Sequence, residues 1–365
     1  MTKDLLIILA GLLISRMLFS RFPLLGRGEI KGQAPRLSLI IPARNEEKNL
    51  GLILEDLKKQ TVPVYEIICV DDASADGTAA VASSSGVRLI SLKDKPEGWI
   101  GKSWACQNGA DAAGGDVLLF LDADVRLGSE GIGRLLSAYE DSGCTISVQP
   151  YHIIEEKYEQ LSMFFNMVQI AATGIALPFR SRKIGLFGPV IMMSRSDYFG
   201  FGGHESIKGS IIDDMAIGSR LKSLGMPFRL FLGDRQISFR MYAGGIRDLM
   251  QGWTKNQSAG AMGTPPYIFA MVFLWITACI SVTIQLVLAA VQGNLSWLAA
   301  YSALYLIWVL ELRRIAVRLG SFGTRAIIIY PVLLVFYLWI FALSVVKKIF
   351  RLKVTWKERG IRLEK

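Results

Sequence analysis

Apolar and polar positions divide the chain into three textures. Residues 5–19 form an apolar run broken only by Ser15 and Arg16. The run is short for a bilayer span and has no small-residue cleavage site, so it predicts a retained membrane anchor, with a cleaved signal peptide as the alternative. From residue 37 the texture is globular. Short β-rich runs at 37–41, 65–70, 87–91 and 117–121 alternate with helix-patterned stretches at 49–60, 77–84 and 102–113. That alternation predicts βαβ units, hence an α/β domain with a mainly parallel sheet over residues 37–263.

After Pro265-Pro266 the chain turns apolar again. Residues 267–291 are long enough to span a bilayer, Gln292-Gly-Asn294 reads as a hairpin, 295–310 could return, and 326–346 is a third apolar segment. A basic tail, 347–365, follows. Three spans would put that tail opposite the α/β domain, against the positive-inside expectation, so one segment is expected to be interfacial or re-entrant; 295–310, short and ending in Glu311 and Arg313-Arg314, is the first candidate. The apolar stretch 161–179, which contains Asn166 and Gln169, reads as a core or membrane-facing helix rather than a span.

Composition sharpens this picture. The 365 residues are 52% hydrophobic, with a mean hydropathy of +0.37, which excludes a disordered chain. The net charge of +10 raises nucleic acid as a partner. Residues 37–263, however, hold 23 Lys and Arg against 26 Asp and Glu, whereas residues 1–36 hold six against two and residues 264–365 hold twelve against three. The excess positive charge therefore flanks the apolar runs, as in cytoplasmic membrane anchors meeting anionic lipid, and a nucleic-acid partner is not expected. The four cysteines, Cys69, Cys106, Cys144 and Cys279, lie far apart, which speaks against a disulfide framework or a zinc site. With His152 and His204 the sole histidines, any cation must be held by carboxylates.

Candidate chemistry gathers at strand ends. Ile41-Pro-Ala-Arg-Asn-Glu-Glu47 follows the first strand and opens a helix, with Asn45 as a possible cap. Val70-Asp-Asp-Ala-Ser-Ala-Asp-Gly-Thr78 ends the second strand in adjacent carboxylates. Ligands in parallel sheets bind at such carboxyl ends, although Asp72 and Ser74 also suit a turn and Asp76 a cap. In Phe120-Leu-Asp-Ala-Asp-Val125 two carboxylates stand at i and i+2 after an apolar strand, where they repel unless a divalent cation bridges them to a diphosphate; a surface turn is the plainer reading. Asp213-Asp214 opens a helix-patterned segment, where negative charge also suits the helix N-terminus.

In this order these motifs, with Gly101-Lys102 before a helix and Gly218-Ser-Arg-Leu-Lys-Ser-Leu-Gly225, resemble the inverting glycosyltransferase family 2, which has a GT-A, Rossmann-like fold. The resemblance implies that Pro42, Ala43, Arg44, Asn45, Glu46, Asp71 and Asp72 hold the nucleotide of a UDP-sugar and that Lys102 approaches its diphosphate or uracil. It further implies that Asp124 with Asp122 binds Mg or Mn, and that Asp214, beside Asp213, is the catalytic base. Processive members carry Gln-x-x-Arg-Trp; here Leu249-Met-Gln-Gly-Trp-Thr-Lys255 lacks the arginine, which speaks against processive synthesis.

Longer stretches, Ile40-Ile-Pro-Ala-Arg-Asn-Glu-Glu-Lys48, Ser147-Val-Gln-Pro-Tyr-His152, Phe187-Gly-Pro189, Gly202-Gly-His204, Phe239-Arg-Met-Tyr242 and Gln251-Gly-Trp-Thr-Lys255, resemble the bacterial 4,4'-diaponeurosporenoate glycosyltransferases of carotenoid biosynthesis. This implies glucose transfer from UDP-glucose to the carboxyl of a C30 carotenoid acid by a multi-pass cell-membrane enzyme with its catalytic domain in the cytoplasm. His204, Arg240, Gln251, Trp253 and Lys255 would face that lipid-soluble acceptor, and the apolar helices would admit it from the membrane. Other lipid acceptors (a glycerolipid, a hopanoid, a polyprenyl phosphate) and a non-catalytic membrane scaffold are the alternative readings.

Overall fold

A computed structural model describes residues 2–26, 28, 30, 32–179, 185–210, 212–350, 353–356 and 359–362. In chain order the elements are α1 (Thr2–Leu18), β1 (Leu37–Ala43), α2 (Glu47–Lys58), β2 (Glu66–Asp72), α3 (Thr78–Ser84), β3 (Arg88–Leu92), α4 (Gly101–Ala112), β4 (Val117–Leu121), β5 (Val125–Leu127), α5 (Gly131–Ser142), β6 (Thr145–Gln149) and β7 (Tyr151–His152). There follow α6 (Met163–Thr173), β8 (Val190–Ser194), α7 (Arg195–Gly200), α8 (Asp213–Ser223), β9 (Phe228–Leu232), β10 (Ile237–Phe239), α9 (Ile246–Gly263), α10 (Pro266–Val291), α11 (Leu295–Leu319), α12 (Thr324–Ile328), α13 (Tyr330–Ile349), β11 (Lys353–Trp356) and β12 (Arg359–Arg362). They fall into two compact units, one of residues 23–152 and 185–240, the other of residues 1–22, 153–184 and 241–365. A linear partition at 37–263 therefore differs from the compact one at three places, since 23–36 group with the sheet-bearing unit and 153–184 and 241–263 with the apolar helices.

The first of these units is built on a seven-stranded sheet of order β3-β2-β1-β4-β8-β6-β9. Strands β3, β2, β1 and β4 are parallel, as the alternating pattern predicts. β8 runs antiparallel between β4 and β6, while β6 and β9 pair in parallel. β4 is buried along its whole length, which is why it reads as an uninterrupted apolar run. Successive side chains of β1 point to opposite faces. Leu39 and Ile41 join Leu50, Ile53, Leu54 and Leu57 of α2 in the core cluster, whereas Ile40 faces Gly109 of α4. A three-stranded sheet of order β5-β10-β7 completes the unit.

Two departures from the sequence reading sit at the first crossover. α2 starts at Glu47, two residues before the expected start, and the side chain of its N-cap residue Glu46 makes no capping bond. Asn45 instead takes a left-handed conformation, φ 50°, and its Oδ1 accepts from the Ala75 amide at 2.8 Å. The cap expected of Asn45 is thus replaced by a tie between two loops.

The other unit is mainly helical. α10, α11 and α13 are long and apolar enough to cross a membrane. α1, of 17 residues, packs on α10 and α11: a Cβ at Gly11 would stand 2.1 Å from the Ala278 side chain and 3.2 Å from that of Trp308. The expectation that the second C-terminal segment stops near residue 310 is corrected, because α11 continues for 25 residues to Leu319. The charges that looked like its end are satisfied within the unit. Arg314 clasps the buried Glu311 through two nitrogens at 2.7 and 3.0 Å, and Ser15 of α1 donates to the same carboxylate at 2.9 Å. Paired charges of this kind carry a far smaller burial cost than isolated ones. The stretch 161–179 supplies α6, whose Phe164 and Phe165 are fully buried, in line with a core helix.

Gly109 lets α4 lie close on the sheet, since an added Cβ would stand 2.4 Å from Ile40 Cγ2 and 3.1 Å from Val70 Cγ2. Overpacking of this sort costs about 1 to 3 kcal/mol. Gly109→Val is accordingly expected to lower the thermal unfolding midpoint, and an unchanged midpoint would contradict the close approach.

Candidate active site

The loops at the carboxyl ends of β1 and β2 are stitched to each other. Arg44 donates to the Asp72 carbonyl at 2.6 Å, the Asn45 amide to Ser74 Oγ at 3.0 Å, the Glu46 amide to Thr78 Oγ1 at 2.9 Å and the Glu47 amide to Asp76 Oδ2 at 3.1 Å. Ala73 joins Asn45 in the left-handed region, φ 52°, a strained choice for a residue with a Cβ. Asp76 also accepts from the Thr78 amide at 3.1 Å, although the N-cap of α3 is Gly77 rather than Asp76. Ser74 and Asp76 are structural here. Asp71 and Asp72 end β2 as buried carboxylates, each 6% exposed, with Arg44 Nη1 at 3.9 Å from Asp72 Oδ2. Pro42 and Ala43 are the last residues of β1 and pair with Val70 and Asp71.

The acidic groups at the ends of β4 and α8 converge on Lys102. Its Nζ lies 2.7 Å from Asp122 Oδ1 and 3.9 Å from Asp213 Oδ2. Gly188 lies between the two carboxylate-bearing elements. Its amide donates to Asp214 Oδ2 at 3.0 Å, and a Cβ there would stand 3.5 Å from Lys102 Nζ. Next to it the Pro189 carbonyl accepts from the Asp122 amide at 2.9 Å. α8 reaches this position because Gly218 rests on backbone: a Cβ at 218 would be 2.5 Å from Gly185 Cα. Asp213 and Asp214 stand in the first turn of α8, where the helix dipole favours negative charge.

Burial and mutual repulsion set the protonation of the cluster. Desolvation, then the negative charge of Asp213, push the Asp214 carboxyl up to about 6. Burial also raises Asp122, against the pull of Lys102. Lys102 is held well above the ordinary lysine value because its carboxylate neighbours outweigh its desolvation. The Cys106 thiol, one turn along α4, is raised by burial and stays protonated.

Asp122 and Asp124 offer hard carboxylate oxygens at the mouth of β4. Among the described residues no group of three or more His, Cys, Asp or Glu could hold a metal ion by itself. Two carboxylates alone would leave a cation such as Mg or Mn to complete its shell with phosphate oxygens and water.

Of the acceptor-side residues, His204 and Arg240 fall in the same unit as this cluster, and Gln251, Trp253 and Lys255 in the other. His204 belongs to the same unit but is 2% exposed, with its ring edge on Phe120 at 5.2 Å. Burial lowers it to about 4, so it is neutral at pH 7. Arg240, half-buried, ends the unit. Gln251 and Trp253 lie on α9 in the other unit. Gln251 is exposed. Trp253 is buried, stacked on Phe165 at 4.7 Å and donating to Ser162 Oγ at 3.1 Å. Its role in that unit is packing. The side chain of Lys255, also on α9, lies outside the described residues. The sequence reading missed Gly188 and Pro189 as parts of the cradle, although Phe187-Gly-Pro189 stood out as a motif. The four cysteines are free, as expected.

Comparison with known proteins agrees with this architecture. The family Glycosyl transferase family 2 matches residues 38–198. A 4,4'-diaponeurosporenoate glycosyltransferase of Staphylococcus aureus (strain USA300) is 35% identical over 314 residues, covering 84% of this chain and 83% of that protein; the protein of the same name from strain MRSA252 matches to the same extent. A solved mannosyltransferase from Pyrobaculum calidifontis, in complex with GDP-Man and Mn2+, superposes with a TM-score of 0.52 at 16% identity, over 95% of this chain and 94% of that one. The fold is of the GT-A type.

Because the Asp213 charge raises Asp214, Asp213→Asn is expected to move the Asp214 titration, read by carboxyl 13C NMR, from about 6 toward the ordinary carboxylate range. No movement would show that Asp213 does not act on it.

Proposed function

Because the chain belongs to glycosyltransferase family 2, we propose that it transfers glucose from UDP-glucose to the carboxyl of 4,4'-diaponeurosporenoate, a C30 carotenoid acid, with inversion, to form a glucosyl ester. The observation that carries a transferase reading is the convergence of Asp122, Asp213 and Lys102 at the carboxyl end of β4. The acceptor is suggested by the Staphylococcus aureus relatives. In this reading residues 42–46 with Asp71 and Asp72 hold the uridine part of the donor, and Lys102 faces the diphosphate. Asp124 with Asp122 would hold a divalent cation, Mg or Mn, which neutralises charge developing on the leaving diphosphate. The acceptor oxygen attacks the anomeric carbon opposite the departing UDP.

Asp214 is the candidate base, beside Asp213. With a titration near 6, it is mostly ionised at pH 7 yet basic enough to take a proton, as general-base chemistry requires. A carotenoid carboxylate is already ionised at that pH, so toward it Asp214 orients the acceptor, and Arg240 offsets the two anions. The raised Asp214 also suits a hydroxyl-bearing lipid, which is the second reading. α10, α11 and α13 would anchor the enzyme in the cell membrane with its catalytic unit in the cytoplasm, where a nearly insoluble polyene is met in the bilayer.

Expression in a host making the C30 acid, followed by mass analysis of the pigment, is expected to reveal the acid plus one hexose. Asp124→Asn is expected to abolish transfer, and Asp214→Asn to reduce transfer to a hydroxyl acceptor more than to a carboxylate. An unaltered pigment would refute the acceptor, and equal loss on both acceptors would refute a carboxylate-specific role for Asp214.

A further inference from the structure

Behind Lys102 lies a buried polar network that the reaction as described does not use. Gln107 of α4 donates from Nε2 to Asp111 Oδ1 at 2.9 Å, and its Oε1 accepts from the Glu205 amide at 3.0 Å. A carboxylate accepts only and a backbone amide donates only, so these two contacts fix the orientation of the Gln107 side chain. Tyr198 Oη stands 3.1 Å from the same Oε1 and can bond to it only by donating its single proton. Tyr198 Oη must therefore accept from its remaining neighbours, the His204 amide at 3.2 Å and His204 Nδ1 at 2.9 Å. Nδ1 carries a proton, and in the neutral ring Nε2 is bare.

The placement of this network is specific. Phe120 of β4, two residues before Asp122, meets both the Tyr198 and His204 rings, at 5.3 and 5.2 Å. The single turn His204–Ile207 packs on α4, which carries Lys102, and on α8, which carries Asp213 and Asp214. The chain makes this turn through Gly202 and Gly203, at φ 92° and 57°, and a Cβ on Gly203 would stand 2.7 Å from Gln107 Oε1.

We propose that Gln107, Tyr198 and His204 form a positioning network that sets the spacing of Lys102 on α4 from Asp213 on α8, with His204 fixed as the neutral Nδ1–H tautomer. These residues act through Lys102 and Asp213 and are positioning residues. The inference rests on the family 2 reading of the site and not on the identity of the acceptor. A full positive charge at His204 would lie beside Lys102 and weaken its hold on the carboxylates, whereas the neutral ring leaves Lys102 as the cation of the cluster.

Two measurements test this. Long-range 1H–15N correlation of the imidazoles in the full-length protein reads two histidines, and the His204 signals are those lost in His204→Phe. At pH 7.5 a protonated Nδ1 and a bare Nε2 are expected; the opposite tautomer or an imidazolium would overturn the proposal. Donor turnover is then followed as UDP release from UDP-glucose, a readout independent of which lipid is the acceptor. Tyr198→Phe is expected to lower kcat by tenfold to a hundredfold, on the order seen when a reacting group is misplaced by about 1 Å, and His204→Asn, which keeps an N–H donor, to retain more turnover than His204→Phe. Folded Tyr198→Phe with wild-type kcat and donor KM would overturn it. Absence of a hexosylated pigment with UDP release intact would refute the carotenoid acceptor alone.

Discussion

The site depends on one half-buried cation among carboxylates. Asp122 and Asp213 approach each other from different elements, and without Lys102 their repulsion in a partly dehydrated corner would drive apart the strand end and the helix that carry them. Lys102 resolves the conflict from the first turn of a third element. Burial first, and then the negative charge of Asp213, raise both Asp214 and Asp122.

The backbone around this cluster is shaped by close approaches. Gly109 lets α4 sit on Ile40 and Val70, Gly218 lets α8 sit on Gly185, and Gly188 passes between Asp214 and Lys102. Of the three, Gly188 is the place where an added Cβ would crowd the charged groups themselves, at 3.2 Å from Asp214 Oδ2 and 3.5 Å from Lys102 Nζ. The left-handed Asn45 and Ala73 do the corresponding work for the two loops at the ends of β1 and β2, which the side chains of Ser74, Asp76 and Thr78 then lock together.

Much of this was legible in the sequence, for local reasons. An uninterrupted apolar strand ending in Asp-x-Asp marks a sheet edge with carboxylates at its mouth, and Gly-Lys before a helical pattern puts a cation at a helix start. The direction of β8 was not legible, because an apolar run carries no sign of parallel or antiparallel pairing. Nor was the burial of His204, which is set by Gln107, 97 positions earlier, and by Phe120. Glu311 and Arg314 looked like the end of an apolar segment, since nothing local reveals that Ser15 and Phe19, almost 300 positions away, complete their hydrogen bonds. Trp253 fitted a motif, yet the stacking on Phe165 that explains its burial is a tertiary fact.

Both the basic flanks and the slightly acidic middle of the chain follow from the same division of labour. Charge outside residues 37–263 flanks apolar helices, and the carboxylates Asp71, Asp72 and Asp122 inside stand at strand ends. The central claim is that the Lys102 cluster receives a nucleoside diphosphate together with a divalent cation. Calorimetric titration of the full-length protein with UDP, with and without Mn2+, tests it most directly. The account expects binding at least about tenfold tighter with the metal, a difference of about 1.4 kcal/mol, and loss of that gain in Asp124→Asn. Equal affinity with and without Mn2+ would contradict it.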